Sequence, residues 1–381
     1  MNGKKFSTAL PRAAYIHVPF CRRRCGYCNF TVVAGRDDLA DDFLQAIDIE
    51  LSGLGEPHEV DSIFIGGGTP THLSPDQLGR LGNSIRRWLP PSPDCEFTVE
   101  ANPSDLSHEK IDTLLAVGTT RISLGVQSFD DEKLAILERD HRRQQVLRAI
   151  ERCRETFGSV SIDLIFAAPQ ETLEVWREDL ETAIRAGCDH MSTYSLTYEK
   201  GAAFWARRHR GELTATDEEL DRAMFEAAID LLTSAGFEHY EVSNFARPGH
   251  RCHQNEVYWK GREYFAAGPG AARYVNGSRE TNHRSTTTYL RRVLSGRSPV
   301  AERETSNPTD TARERLVFQL RMLEGVDRRE FAEQTGFELD DLVGQQLSML
   351  LELGLLEEEA GRLRLTRNGL MVSDSIWPHF L

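Results

Sequence analysis

The chain has 381 residues, 40% of them hydrophobic, enough for one large α/β domain and a smaller one with cores that need no metal staple. Its 45 Lys and Arg against 59 Asp and Glu leave a formal charge of −14, a balance that repels a phosphate backbone and argues against nucleic acid as a bulk partner. Seven cysteines without a disulfide spacing, no run of about 18 apolar residues and no apolar segment behind the N-terminal lysines predict a cytoplasmic chain with no membrane span, leaving room for peripheral membrane contact.

Short runs rich in β-branched residues alternate with longer amphipathic segments, the pattern of repeated βα units on a parallel sheet. Residues 13–18 read as the first strand, followed by a cysteine-bearing loop and a helix over 37–54. Residues 61–65 form the second strand and run into Gly66-Gly67-Gly68-Thr69-Pro70; Ser74-Pro75 then offers a serine cap and a proline at the first helical position. Residues 97–101, 120–125, 161–166 and 191–196 supply four more strands. Six units precede residue 200, so residues 1–235 read as a partial (β/α)6 barrel.

Pro248, Gly249, Gly268, Pro269 and Gly270 punctuate an irregular pattern over 236–305, read as a loop-rich extension of the barrel. Ser306-Asn307-Pro308 marks a boundary. Helical periodicity over 310–322, 327–335 and 340–353, then two short strands around Ala360-Gly361 and a last helix, make 306–381 a small winged-helix-like α+β domain. This segment holds more acidic than basic residues, so a structural or partner-binding role is expected there ahead of DNA binding.

The cysteines of His17-Val-Pro-Phe-Cys-Arg-Arg-Arg-Cys-Gly-Tyr-Cys carry the clearest chemistry. Cys21, Cys25 and Cys28 bring three thiolates within reach of one metal centre and offer no nearby fourth, which suits an iron–sulfur cube with one iron left open. Structural zinc would want a closed tetrahedral set, and no second C-x2-C or spaced histidine pair follows. Arg22, Arg23 and Arg24 favour the thiolate form. The other cysteines, Cys95, Cys153, Cys188 and Cys252, read as small apolar residues. In parallel-strand barrels functional groups gather at the carboxyl ends of the strands, where the glycine run, Glu100, Asn102 and Gln127 also fall. The glycines let backbone approach a ligand closely, and no Gly-Lys-Ser/Thr follows to make a phosphate loop.

The C-x3-C-x2-C spacing with an aromatic before the last cysteine resembles the cluster motif of the radical S-adenosylmethionine (SAM) superfamily. Tyr15-Ile-His17-Val-Pro19-Phe20-Cys21 is similar to the lead-in of its coproporphyrinogen dehydrogenase group, which holds the oxygen-independent coproporphyrinogen III oxidases and the HemW-type heme chaperones. The resemblance covers nearly the whole chain and implies a partial barrel, a [4Fe–4S] cluster on Cys21, Cys25 and Cys28, and SAM on the open iron. It puts Gly67, Gly68 and Thr69 against the methionine end of SAM, Gln127, Arg139 and Asp163 at SAM-contacting positions, and Tyr15 and Tyr27 around cluster and cofactor. Glu100 ends an apolar strand, where it either holds the SAM ammonium or forms a strand-end salt bridge.

Departures within the group choose between its members. The oxidases carry a further cysteine two residues beyond the third ligand, where this chain has Cys28-Asn29-Phe30, and a longer segment before the first strand. Both differences resemble the chaperone, which implies binding of heme and delivery to acceptor proteins without coproporphyrinogen dehydrogenase activity and without an assigned catalytic residue. The alternative is a coproporphyrinogen III oxidase or another radical enzyme acting on a porphyrin. Asn255-Glu-Val-Tyr258-Trp259 resembles the chaperone's H-N-x-x-Y-W stretch, except that His253 lies one residue early. His253, or else Cys252, is the expected heme ligand; otherwise Tyr258 and Trp259 are core aromatics and His253 a surface residue. The C-terminal domain is expected to cover part of the barrel mouth or to contact an acceptor, and oligomeric state is left open.

Overall fold

The computed structural model describes residues 10–381. Six strands run parallel in chain order, β1 (Ala13–Val18), β2 (Val60–Gly67), β3 (Pro91–Ala101), β4 (Arg121–Gln127), β5 (Ser159–Phe166) and β6 (His190–Ser195). Three short strands extend them: β7 (Glu238–Glu241), β8 (Asn244–Ala246) and β9 (Phe265–Ala267). β8 is antiparallel to both β6 and β7, and β9 lies parallel to β1 on the opposite edge, giving the order β9-β1-β2-β3-β4-β5-β6-β8-β7.

The period-two alternation of a strand explains why this sheet has a dry outside and a wet inside. Along β4, Ile122, Leu124 and Val126 join the apolar layer under the surrounding helices, whereas Arg121, Ser123, Gly125 and Gln127 line an internal cavity. β5 repeats this with Val160, Ile162 and Leu164 outside against Ser161, Asp163 and Ile165 inside. Barrel interiors are ordinarily filled by branched apolar side chains; here polar ones leave room. The helix Pro75–Trp88 starts as its sequence indicates, with Ser74 Oγ accepting from Gln77 N at 3.2 Å and Gln77 Oε1 accepting from Ser74 N at 3.1 Å. That cap contributes about 1 kcal/mol.

Residues 236–305 hold more regular structure than the sequence pattern suggests. Beyond β7, β8 and β9 they form a three-stranded antiparallel sheet of Ala272–Val275, Ser278–Asn282 and Val300–Glu304, and the helices His253–Trp259 and Thr286–Leu294. The strands escape detection because they are three to five residues long, too short to show a period. Glu50 on the helix Ala40–Ser52 ties this span to the barrel, accepting from Gly268 N at 2.9 Å, Asn282 Nδ2 at 2.7 Å and Tyr289 Oη at 2.6 Å.

At the C-terminus the helices Pro308–Leu320, Arg328–Thr335 and Leu339–Glu352 precede the antiparallel pair Leu356–Glu359 and Arg362–Leu365. Their core is separate, built on Leu316, Leu320, Phe331, Leu347, Leu363 and Phe380. No helix among the described residues is long and apolar enough to cross a membrane.

Candidate functional site

The cavity inside the barrel has a volume of about 1560 Å³. Single small-molecule sites occupy roughly 300–1,000 Å³, so this one has room for more than one ligand. It runs from the cysteine loop at the carboxyl ends of the strands down to Arg121 at the start of β4, and Leu370–Ser375 of the C-terminal segment form part of its wall. Tyr15, Cys21, Cys25, Tyr27, Cys28, Gly67, Gly68, Thr69, Glu100, Gln127, Arg139 and Asp163 all line it.

The cysteine loop is pinned at both ends. Gly68 N donates to Val18 O at 2.8 Å, Thr69 N to Phe20 O at 2.7 Å, and Cys28 N closes a turn on Cys25 O at 3.1 Å. Thr69 Oγ1 lies 3.6 Å from Cys21 Sγ, and Arg139 Nη1 lies 3.5 Å from both Cys25 Sγ and Tyr27 Oη, while Arg139 Nη2 donates to Gly125 O at 2.8 Å. Arg139 is thus a partly buried cation held against the loop; it lies in the turn between the helices Asp131–Ile136 and Arg143–Arg154, not on a solvated helix face. Burial pushes the Cys21 thiol up to about 12 and raises Cys28 as well, so thiolates here require a cationic centre to offset desolvation. Among the described residues no three His, Cys, Asp or Glu side chains converge on a single ion. The donors gathered on this wall of the cavity are three soft sulfurs beside one arginine, a chemistry that suits an iron–sulfur cluster.

The glycine run meets a requirement that sequence inspection does not reveal. A Cβ on Gly66 would lie 2.7 Å from Glu100 Cδ, one on Gly67 2.3 Å from the His17 ring, and one on Gly68 2.7 Å from Phe20 O. Gly67 also has φ of +105°. The run is demanded by the closeness of the protein's own atoms, and its product is an aimed carboxylate: Gly67 N donates to Glu100 Oε2 at 2.9 Å.

Glu100 has no ion-pair partner among the described residues, which removes the strand-end salt bridge. Burial, with the Asp163 carboxylate as a second cause, pushes its carboxyl up to about 8. Burial likewise pushes Asp163 up to about 6, against a hydrogen bond from Ser192. Two acids facing one cavity, neither in an ion pair among the described residues although the more distant Arg121 and Arg139 act on Asp163, suit a positively charged ligand, and the ammonium and sulfonium of SAM fit that site. Gln127 sits beside them with φ of +69°, a costly angle for a residue with a side chain, at a register shift where β4 leaves β5. Tyr15 is oriented through His17, whose Nδ1 lies 2.9 Å from Tyr15 Oη and whose Nε2 lies 2.7 Å from Thr31 O.

One brace has no sequence signal beyond an isolated histidine. His141 Nε2 lies 2.8 Å from Val126 O and its Nδ1 3.0 Å from Asn102 Oδ1, while Asn102 Nδ2 donates to Asp140 Oδ1 at 3.2 Å. These contacts tie the end of β3 to the end of β4 and fix the segment bearing Arg139.

His253 is not brought to the cavity. It is exposed at the start of the helix His253–Trp259, its backbone N–H donating to Glu96 Oε1 at 2.9 Å. Helical phase turns Gln254, Asn255 and Tyr258 inward in its place. Cys252 does face the cavity, but burial pushes its thiol up to about 12. Trp259 packs towards the C-terminal domain, its ring under the Arg321 guanidinium at 4.4 Å.

Comparison with known proteins matches this layout. The radical SAM superfamily model matches residues 15–183, and a HemN C-terminal domain model matches residues 307–372. The chain is 35% identical to the heme chaperone HemW of Bacillus subtilis (strain 168), covering 97% of this chain and 99% of that protein. It is 34% identical to the heme chaperone HemW of Escherichia coli (strain K12), over 97% and 98% of the two chains. The solved structure of coproporphyrinogen III oxidase (HemN) from Escherichia coli superposes with a TM-score of 0.85 at 22% identity, over 97% of this chain and 90% of that one, a likeness of fold. The chain belongs to the radical SAM superfamily and, within it, to the coproporphyrinogen dehydrogenase-like group in which HemW falls.

Proposed function

We propose that this chain is a heme-binding and heme-delivering protein of the cytoplasm that keeps a [4Fe–4S] cluster on Cys21, Cys25 and Cys28 and a SAM site beside it. The observation that carries the reading is the end-to-end likeness to proteins named heme chaperone HemW. The cavity, larger than one ligand needs, supports it. The boundaries 1–235, 236–305 and 306–381 serve this reading as a cofactor barrel, a span that completes its wall, and a module available to an acceptor protein.

When bound, cluster and SAM supply one-electron chemistry; the protein's part is orientation and shielding. Cys21, Cys25 and Cys28 would hold three irons, with Arg139 offsetting thiolate charge near Cys25. Glu100, aimed by Gly67, would hold the SAM ammonium and exchange a proton on doing so. Tyr15, Tyr27, Thr69 and Gln127 would fix the cofactor's orientation, and Asp163 would face its positive charge. Phe30 stands exposed near the mouth where the oxidases have a further cysteine, so no fourth thiol competes there.

Anaerobically reconstituted protein should carry about four irons, lose them in Cys25→Ser, and bind hemin stoichiometrically. The same preparation given coproporphyrinogen III, SAM and reductant should leave the carboxyl groups intact. Formation of protoporphyrinogen would replace the chaperone reading with the oxidase one.

A further inference from the structure

The floor of the cavity is built differently from its mouth. Arg121 begins β4, and its Cα lies about 20 Å below that of Gln127 at the strand rise of about 3.3 Å per residue. Its side chain is 2% exposed and faces the cavity. Only one of its nitrogens is spent on hydrogen bonds: Nη1 donates to His250 O at 3.0 Å and to Ser159 Oγ at 3.2 Å, and lies 3.8 Å from Glu96 Oε2. Its Nε is buried with no partner among the described residues. Gln254, 1% exposed and directed inward from the helix that closes the floor, accepts from Ser62 Oγ at 3.0 Å, while its Nε2 makes no full hydrogen bond among the described residues, the neighbouring Tyr258 hydroxyl being the group it faces.

Buried polar groups are normally satisfied, because leaving one unpaired costs its full desolvation. Here the unspent groups are N–H donors, and a guanidinium never gives up its proton to become an acceptor. Ser161 and His190 do not compensate, since Ser161 Oγ is engaged with His190 Nδ1 at 2.8 Å and His190 Nε2 with Tyr240 Oη at 2.9 Å. Two carboxylates come near them: Glu96 is committed to His253 N and Arg121 Nη1, and Asp163, higher on β5, feels the Arg121 charge across the cavity without a hydrogen bond to it.

From this donor surplus we propose that Arg121 and Gln254 form a carboxylate-binding subsite at the cavity floor, distinct from the acidic mouth. The inference rests on the heme reading above, and assigns the floor to the carboxylate side chains of the tetrapyrrole. The ring then lies between a cation-binding mouth and an anion-binding floor, and the two ends recognise opposite charges on two different ligands.

The test compares hemin with hemin dimethyl ester on the cluster-loaded full chain, by titration of the Soret band. Hemin should bind about tenfold or more tightly than the ester, the worth of one charge-assisted hydrogen bond. Gln254→Leu should shrink that ratio while leaving the ester's affinity in place. The pair Arg121→Met with Glu96→Gln, which removes both charges of the floor ion pair together, should abolish it. Equal affinities for hemin and ester in the unaltered protein overturn the subsite but keep the heme reading. Binding of neither ligand overturns both.

Discussion

The mouth and the floor of one cavity are assembled by opposite routes. At the mouth each strand of the barrel ends in its own motif, so Cys21, Gly67, Glu100 and Gln127 are each followed or preceded by sequence that already hints at their work. At the floor Arg121 comes from a strand start, and Gln254 and Cys252 come from a segment that crosses between the two edges of an open sheet. The mouth also holds two carboxyls without an ion-pair partner among the described residues, Glu100 and Asp163, whereas the floor holds N–H donors without acceptors. Under the proposed function and subsite, this division would let one space take a cationic cofactor and an anionic ligand without either competing for the other's partners.

The largest expected effect tests whether the mouth has its own support. Behind β4 and β5, Lys133 is ion-paired with Glu171 and with Asp179, the latter at 3.0 Å, and all three are buried. Asp179 accepts from Phe129 N and Ser128 Oγ, both at 2.6 Å, and Glu171 accepts from Ala168 N at 2.9 Å, so the triad fixes the turns that follow Gln127 and Phe166. Lys133→Met leaves two buried carboxylates without their cation and should cost about 3–5 kcal/mol in denaturant unfolding. In the surviving folded fraction SAM affinity should fall while the hemin-to-ester ratio is kept. Parallel loss of both would show that the two ends are one mechanical unit.

The same contrast explains what the sequence discloses. The six barrel strands, the Ser74 cap, the three cysteines and the glycine run are legible because each sits in a local pattern: a period of two, a cap and proline, a fixed cysteine spacing, a repeat of small residues after a strand. Tyr15, Tyr27, Gln127, Arg139 and Asp163 are legible only through resemblance; Arg139 lies in the turn between the helices Asp131–Ile136 and Arg143–Arg154, and its placement against Cys25 depends on how the chain folds back. The inward choice of Gln254 over His253 is not legible at all. One residue of helical phase, about 100°, decides it, and the contacts that hold that phase, Ser62 Oγ to Gln254 Oε1 and His253 N to Glu96 Oε1, come from 192 and 157 residues away in the chain.

A smaller effect concerns protons at the mouth. Glu100, raised from 4.5 to about 8, is largely protonated at pH 7 in the ligand-free protein. An arriving ammonium favours the ionised form, so SAM uptake should release up to one proton and tighten as pH rises from about 6 to 8. Calorimetry in buffers of different ionisation enthalpy measures that proton; Glu100→Gln should remove it and weaken SAM about tenfold. The ligand-free protein shows the complementary sign. Because the folded value lies above the unfolded one, the contribution of Glu100 to stability is complete below about 4.5 and is lost as pH climbs through about 8. Asp163, raised to about 6, acts in the same direction over a lower window, and Glu100→Gln should flatten the upper part of the slope. An unchanged slope in that variant would assign the titration elsewhere.

The smallest effect sharpens the division most. Phe30 is 66% exposed beside the cysteine loop, so Phe30→Ser should change unfolding stability by no more than about 0.5 kcal/mol and leave the iron content intact. Its ring offers an apolar face to a macrocycle and nothing to a carboxylate. Hemin and hemin dimethyl ester should therefore both weaken by about threefold, under 1 kcal/mol of lost apolar contact, with their ratio preserved. Floor variants do the reverse, moving hemin alone. If Phe30→Ser weakened hemin and spared the ester, the carboxylates would lie at the mouth, and the polarity assigned to the two ends of the cavity would have to be inverted.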